Sequence, residues 1–397
     1  MTTLYEKYLR IINTTPMNFT RSIMDHIQWE ARLIGIKGAR GVGKTTLLLQ
    51  YIKKNLPIDS STLYVSLDNI WFAANTLSSL VDQFVKQGGK YLFLDEVHKY
   101  PNWSQELKNI YDDYPTLKIV FTASSLLEIL NARADLSRRA IVYTMQGLSY
   151  REYLNLKLGL ELPSYSLGEI IKNHVTISSE LNLQLRPLQY FNEYLQQGYY
   201  PFFQEVPELY FHRIEEVLNL ILEIELPLLR KVEVAYVAKL KQLLQIIAKS
   251  VPFIPNVSTL SERIGVNRNT FVSYLYFLEE AHITKNLYKD AKGITKLQKP
   301  SKIYLENTNL QYALAPHQAN IGNIRETFLI NQLSAYHVVE YIEASDFLVD
   351  HQFIFEVGGK NKNQAQIKNL HHSYLVLDDM EYGIGNKIPL WLFGFLY

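Results

Sequence analysis

The chain has 397 residues, 47% hydrophobic and 20% charged, which excludes a disordered or fibrous polymer and gives room for about two to four domains. Its 40 Lys and Arg nearly cancel 39 Asp and Glu, so no global field draws it onto nucleic acid or an anionic membrane, and a polyanion must be met by a local patch. The lack of cysteine excludes disulfides, thiolate metal sites and a cysteine nucleophile, in keeping with a reducing cytoplasm.

The opening M-T-T-L-Y-E-K-Y-L-R carries charges where a secretory apolar core would sit, so a cytoplasmic location is expected. Residues 1–157 then alternate short apolar strands (R-L-I-G-I-K, T-L-Y-V-S, Y-L-F-L, L-K-I-V-F-T) with helical stretches, the pattern of parallel strands joined by crossover helices. An α/β domain is expected there.

Directly after the first strand, Gly38, Gly43, Lys44 and Thr45 satisfy the full G-x-x-x-x-G-K-[ST] spacing, with Ala39, Arg40, Gly41 and Val42 inside it and Thr46 behind. Glycines let backbone N–H groups turn inward on phosphate oxygens, and the helix opening after Gly43 adds its positive end. Lys44 is expected to reach the β and γ phosphates and Thr45 to offer a hydroxyl to Mg2+. About fifty residues on, the buried strand Tyr91 to Leu94 ends in Asp95 and Glu96. Asp95 is the candidate second holder of Mg2+, and Glu96 the candidate base for an attacking water. No N-K-x-D guanine signature is found, so the expected nucleotide is ATP. D-E-V-H, ending at His98, invites a helicase reading, but no second nucleotide domain follows; His98 reads as structural or as a neighbour that positions Glu96.

The strand Leu117 to Thr122 leads into T-A-S-S, where Thr122 and Ser124 are candidates to touch the γ phosphate or the water, or else to cap the next helix. In A-D-L-S-R-R-A, Arg138 or Arg139 is a candidate guanidinium supplied in trans to a neighbouring copy, which would imply a homo-oligomer. Two arginines on a solvated helix end are the plain alternative.

Residues 158–250 turn helical, punctuated by G-Y-Y-P at Gly198 to Pro201; the greasiest run, Val217 to Leu229, is broken by Glu223 and Glu225 and is no membrane span. Residues 251–315 read as a winged helix-turn-helix: a short helix capped by Ser258 and closed by Gly265, a longer one capped by Asn267 or Asn269, then two strands. Asn267, Arg268, Asn269, Thr270 and Tyr274 would meet DNA bases, and Lys285, Lys289, Lys292, Lys296 and Lys299 would thicken the wing, although Glu279 and Glu280 make the positive charge thin. The alternative is a module that docks within the same protein. Residues 316–397 hold a helix and several strands. Asp346 and Glu356 suggest a nuclease metal site, but Gly358 stands where a lysine would follow and Lys360 comes late, so an inactive domain is expected.

G-A-R-G-V-G-K-T-T-L-L, F-L-D-E-V-H-K-Y-P-N-W, T-A-S-S, L-S-R-R-A with L-S-Y-R-E-Y-L, G-Y-Y-P, P-N-V-S-T-L-S-E-R-I-G-V-N-R-N-T and E-V-G-G-K together resemble bacterial and archaeal AAA-type ATPases with a C-terminal domain of unknown function. The resemblance spans nearly the whole chain. It implies an α/β P-loop domain with an additional strand and a catalytic Glu, a helical connector, a winged helix and a small α+β restriction-endonuclease-like domain. It carries family roles onto Lys44, Thr45, Asp95 and Glu96, and aligns Arg139, rather than Arg138, with the family arginine. The resulting expectation is Mg2+-dependent ATP hydrolysis coupled to movement of the C-terminal region. The alternative is a nucleotide-gated DNA-binding switch with negligible turnover.

Overall fold

In the computed structural model, residues 2–123, 136, 138–230, 232–250, 252–289, 299–316 and 320–397 are described, the side chains of 229 and 234 aside. They form two compact units, Met1–Gly147 and Leu148–Tyr397.

The first unit opens with helix α1 (Thr2–Thr14) and then alternates β1 (Leu33–Lys37), α2 (Lys44–Asn55), β2 (Thr62–Ser66), α3 (Leu77–Lys86), β3 (Tyr91–Asp95), α4 (Trp103–Asp113), β4 (Lys118–Ala123) and β5 (Ile141–Thr144). All strand pairs are parallel, in the order β2-β3-β4-β1-β5. The inner strands read as near-continuous apolar runs because they are buried on both faces; Leu33, Ile34, Ile36, Leu92, Leu94 and Phe121 are sealed from solvent. Strand β4 lies between β1, which feeds the phosphate loop, and β3, which carries the acid pair. The sheet therefore has the additional strand that the resemblance implies, and both motifs emerge on its carboxyl edge, where open parallel sheets bind ligands.

The second unit begins at Leu148, ahead of the Lys157 limit expected for the first block. Its first helix, α5 (Tyr150–Leu158), starts with a capping box between Ser149 and Glu152. The reason it stays with this unit is polar: Ser149 Oγ and Arg151 Nε both donate to the Tyr397 carbonyl, at 2.6 and 2.9 Å. Helices α6 (Leu167–Gln184), α7 (Pro187–Gln197), α8 (Tyr210–Leu220), α9 (Leu226–Arg230) and α10 (Val234–Lys249) follow, with a π-helical turn at Ile221–Glu225 between α8 and α9. The G-Y-Y-P segment is not a solvated loop: Tyr199 and Tyr200 are buried, and Asn309 takes the Tyr199 amide at 2.8 Å and the Tyr210 hydroxyl while donating to Leu195 O at 2.8 Å.

Helices α11 (Val257–Ile264) and α12 (Arg268–Glu280) then meet at a tight turn, followed by the antiparallel pair β6 (Thr284–Leu287) and β7 (Lys302–Leu305). Gly265, with φ +66°, ends α11 in the left-handed conformation that favours glycine. Asn256, not Ser258, caps α11 by accepting from the Thr259 amide, because the helix starts two residues earlier than the spacing suggests; Asn267 caps α12 through the Thr270 amide. Helices α13 (Thr308–Leu314) and α14 (Ile321–Leu333) precede a five-stranded sheet ordered β12-β11-β10-β9-β8, built from β8 (Val339–Glu340), β9 (Phe347–Val349), β10 (Phe353–Gly358), β11 (Ser373–Leu377) and β12 (Lys387–Pro389). No helix among the described residues is long and apolar enough to cross a membrane.

Candidate nucleotide site

The loop from Gly38 to Gly43 connects β1 to α2. Gly43 takes φ +98° and is the N-cap of α2, so the chain turns sharply and the first amides of the helix face the loop. Gly38 is fixed by crowding: a Cβ on it would lie 2.2 Å from the Met145 carbonyl oxygen. Lys44 is buried, and its ammonium lies against the loop, donating to Gly38 O at 3.0 Å and Ala39 O at 2.8 Å. Val42 is buried and its carbonyl accepts from Arg21 at 2.7 Å. The same guanidinium donates to Gln146 O and Gly147 O, both at 2.8 Å, so buried Arg21 ties the back of the loop to the segment after β5. Arg40, Gly41, Thr45 and Thr46 keep solvent contact on the open side of the loop.

Facing them, β3 delivers Asp95 and Glu96. Asp95 is buried, and both of its oxygens are engaged. Oδ2 accepts from Thr45 Oγ1 at 2.6 Å and Tyr64 Oη at 2.7 Å; Oδ1 accepts from Thr122 Oγ1 and, at 3.2 Å, from the Glu96 amide. The Glu96 amide also donates to Thr122 Oγ1 at 3.2 Å. The loop and the acid strand are thus joined through the Thr45–Asp95 pair. Glu96 itself sits at φ +54°, ψ +40°, a left-handed conformation that costs a non-glycine residue on the order of 1 kcal/mol and recurs at functional sites. Its Oε2 is 3.5 Å from Nε2 of His98. Burial, and then the charges of Lys99, Lys44 and Arg40, push His98 down to about 3, so that imidazole is neutral at physiological pH.

A Thr hydroxyl beside a carboxylate suits Mg2+, which takes few protein ligands and keeps waters and substrate phosphates in its octahedron. The fit rests on Thr45 standing on the open side of the loop and Asp95 touching it. Thr122, a candidate for phosphate or water, is instead fully buried between Asp95 and Glu96. Tyr64 and Arg21 were not legible, since a tyrosine inside T-L-Y-V-S and a lone arginine between helices carry no motif.

Of the remaining candidates, Ser124 lies outside the described residues, as do Lys292 and Lys296. Arg138 has φ +69°. Arg139 pairs with Asp112 of α4, Nη2 to Oδ2 at 2.8 Å. In the second unit, Tyr274 is buried, with its ring 6.3 Å from that of Tyr236, so it is not available to DNA bases. Arg230, Asn267, Arg268, Asn269, Thr270 and Ser273 help to line an open pocket of about 630 Å3 at the start of α12. Lys289 is engaged by Glu343 at 2.6 Å, and Lys299 is exposed. Lys360 is exposed as well, whereas Lys362 reaches Glu356 Oε1 at 2.5 Å. Its stem passes over Gly358, where a Cβ would meet Lys362 Cβ at 2.5 Å. The lysine absent from position 358 is thus replaced in space by Lys362. Among the described residues, however, no group of three His, Cys, Asp or Glu is disposed to hold a metal ion.

Residues 30–154 match the AAA domain family, and residues 188–323 match a domain of unknown function, DUF8612. The uncharacterized protein MJ1637 of Methanocaldococcus jannaschii is 26% identical over 285 residues, covering 68% of this chain. The chain spans 60% of the length of that relative. Among solved structures, AMPPCP-bound DnaA from Aquifex aeolicus is 13% identical with a TM-score of 0.25, covering 70% of this chain and 88% of its own. The S. cerevisiae Hsp104–ADP complex is 16% identical with a TM-score of 0.28, covering 70% and 38%. C. elegans PCH-2 is 20% identical with a TM-score of 0.24, covering 43% and 48%. Residues 30–154 are similar to AAA domains, and the parallel sheet with its phosphate loop and acid strand gives the first unit an α/β P-loop NTPase fold of AAA type.

Proposed function

We propose that the first unit binds ATP with Mg2+ and hydrolyses it, and that turnover drives movement of the helical and winged-helix parts of the second unit. The observation that carries this reading is the 2.6 Å bond between Thr45 and Asp95, because it brings the phosphate loop and the acid pair to one edge of the sheet. Loop amides and Lys44 hold the phosphates; Thr45 and Asp95 would hold Mg2+, which supplies charge neutralisation on the phosphoryl oxygens when bound. Glu96, raised on its left-handed backbone, orients the attacking water and takes its proton. His98, neutral beside Glu96, adds no competing cation to the site.

Three proteins test this. Lys44→Ala is expected to lose ATP binding, and Glu96→Gln to keep binding while hydrolysis falls on the order of a hundredfold or more. If Glu96→Gln turns over as fast as the parent while Lys44→Ala still binds ATP, the assignment is wrong.

A nucleotide-gated DNA switch is the second reading, supported by the open pocket at the N-terminus of α12, which Arg268 and the Glu280-paired Arg230 line together with Glu233. It requires less than one product per chain and a steep salt dependence of DNA binding that Arg268→Ala removes. The cluster around Glu356 does not support cleavage as a third reading, because Lys362 holds Glu356 and Lys302 lies against Asp346. The module of α11, α12, β6 and β7 is read as the winged helix, and residues 316–397 as an inactive nuclease-like domain.

A further inference from the structure

We propose that Tyr64 is a positioning residue for the metal station, fixing the Asp95 carboxylate so that it meets Thr45 and a Thr45-bound cation. The inference rests on the reading of the first unit as a Mg2+–nucleotide site. Tyr64 lies on β2, in register with Phe93 of the neighbouring β3, two rungs before the Ser66–Asp95 pair. Its ring is buried within the sheet layer, and its hydroxyl donates at 2.7 Å to Oδ2, the oxygen that also accepts from Thr45. A phenol hydroxyl carries its proton at neutral pH and donates it to a carboxylate.

A carboxylate at a strand end can rotate about two torsions. Here Thr122 pins Oδ1 and Tyr64 pins Oδ2, from the strands on either side of β3. Thr45 is the partner expected to turn away toward a cation, and when it does, Tyr64 and Thr122 leave the carboxylate in place. Without the phenol, Oδ2 keeps Thr45 alone, and the carboxylate must be ordered each time the metal arrives. That cost falls on the metal-dependent part of nucleotide affinity and on turnover, not on the contacts that the loop makes with phosphate.

Tyr64→Phe removes the hydroxyl and keeps the ring. ATP bearing a fluorescent N-methylanthraniloyl group is titrated into wild type and variant in EDTA and at increasing Mg2+, alongside steady-state turnover and thermal unfolding. The expected result is unchanged affinity in EDTA, a Mg2+ midpoint raised about 3- to 30-fold and a kcat lowered by a similar factor. An unchanged Mg2+ midpoint overturns the inference, as does an equal loss of both affinities with a lowered melting temperature, which marks a merely structural tyrosine. If wild type binds the analogue equally in EDTA and Mg2+, the Mg2+–nucleotide reading itself fails and takes the inference with it.

Discussion

Arg139 is gripped by Asp112 of its own chain: Nε donates to Oδ1 at 3.0 Å and Nη2 to Oδ2 at 2.8 Å, a two-point fork on the end of α4. Both side chains keep solvent contact, so the pair adds little to stability and is readily exchanged for another anion. An arginine that serves a neighbouring copy has to leave such a partner first. If Arg139 does so, Asp112→Ala raises ATP turnover about two- to fivefold at concentrations where copies associate, and Arg139→Ala removes any dependence of specific activity on protein concentration. Turnover that is indifferent to both substitutions ends the trans role.

His98 gives a pH prediction of definite sign. The unfolded chain takes up the imidazole proton near pH 6.5, whereas the folded unit takes it up only at about 3. Between those values the unfolded state holds more protons, so stability is full above pH 6.5 and is lost as pH falls through the window. From pH 6.5 to 5 the loss is about 2 kcal/mol. Thermal unfolding of the first unit should show it, and His98→Gln should flatten it. The same neutrality means that turnover between pH 6 and 8 carries no inflection from His98.

What the sequence made legible was what chemistry demands at fixed spacing. Gly38, Gly43, Lys44 and Thr45 are recognisable because backbone curvature and phosphate charge restrict the residues allowed there, and Asp95 and Glu96 because acids ending a buried apolar strand need a reason. The residues that orient them were hidden. Tyr64, Thr122 and Arg21 act from strands and a loop distant in sequence, and each reads locally as an ordinary tyrosine, threonine or arginine. Spacing also misled where the chain bulges: Lys360 is nearer in sequence to Glu356, but the turn after β10 points it to solvent and brings Lys362 back. Tyr274 failed as a base reader because the Tyr236 side of the pocket, invisible in the local pattern, already covers it.

Gly38 and Gly88 separate crowding from backbone strain within one unit. Both have positive φ, but a Cβ on Gly88 meets nothing within 4 Å, whereas one on Gly38 meets the Met145 carbonyl at 2.2 Å. Gly88→Ala should cost about 1 kcal/mol in unfolding and leave ATP affinity alone. Gly38→Ala has to displace the chain beyond β5, whose Met145 amide donates to Lys37 O at 2.7 Å, and should abolish nucleotide binding as well as lowering the melting temperature. Equal ATP affinity in the two variants would refute the crowding argument.

The buried cluster of the second unit sets three carboxylates against two ammonium groups. Lys362 pairs with Glu356 at 2.5 Å, and Lys302 lies 3.6 Å from Asp346 and 3.9 Å from Glu326. Ser345 and the Val357 amide each give one more hydrogen bond, to Glu356 and Asp346. Among the described residues, one negative charge of the cluster is left without a counterion. Glu326 relieves it by keeping its proton: burial first, and then the charge of Asp346, push its carboxyl up to about 7, although the Tyr304 hydroxyl at 2.6 Å and Lys302 pull the other way. A raised carboxyl pKa means that the folded unit holds more protons than the unfolded chain between the ordinary glutamate value, about 4.3, and 7. Stability is therefore full below that window and falls as pH rises through it, by roughly 1–3 kcal/mol shared with Asp346. Glu326→Gln mimics the protonated form and should remove Glu326's share of the decline, leaving only the part that Asp346 contributes. Lys362→Met acts in the opposite sense: it strands Glu356 in the interior and should destabilise by about 3–5 kcal/mol at pH 7.5, with partial recovery on acidification. A parent whose stability does not change between pH 5 and 7.5 where Glu326→Gln does not differ from it, or a Lys362→Met protein with parental stability, would show that these charges are not balanced in this way.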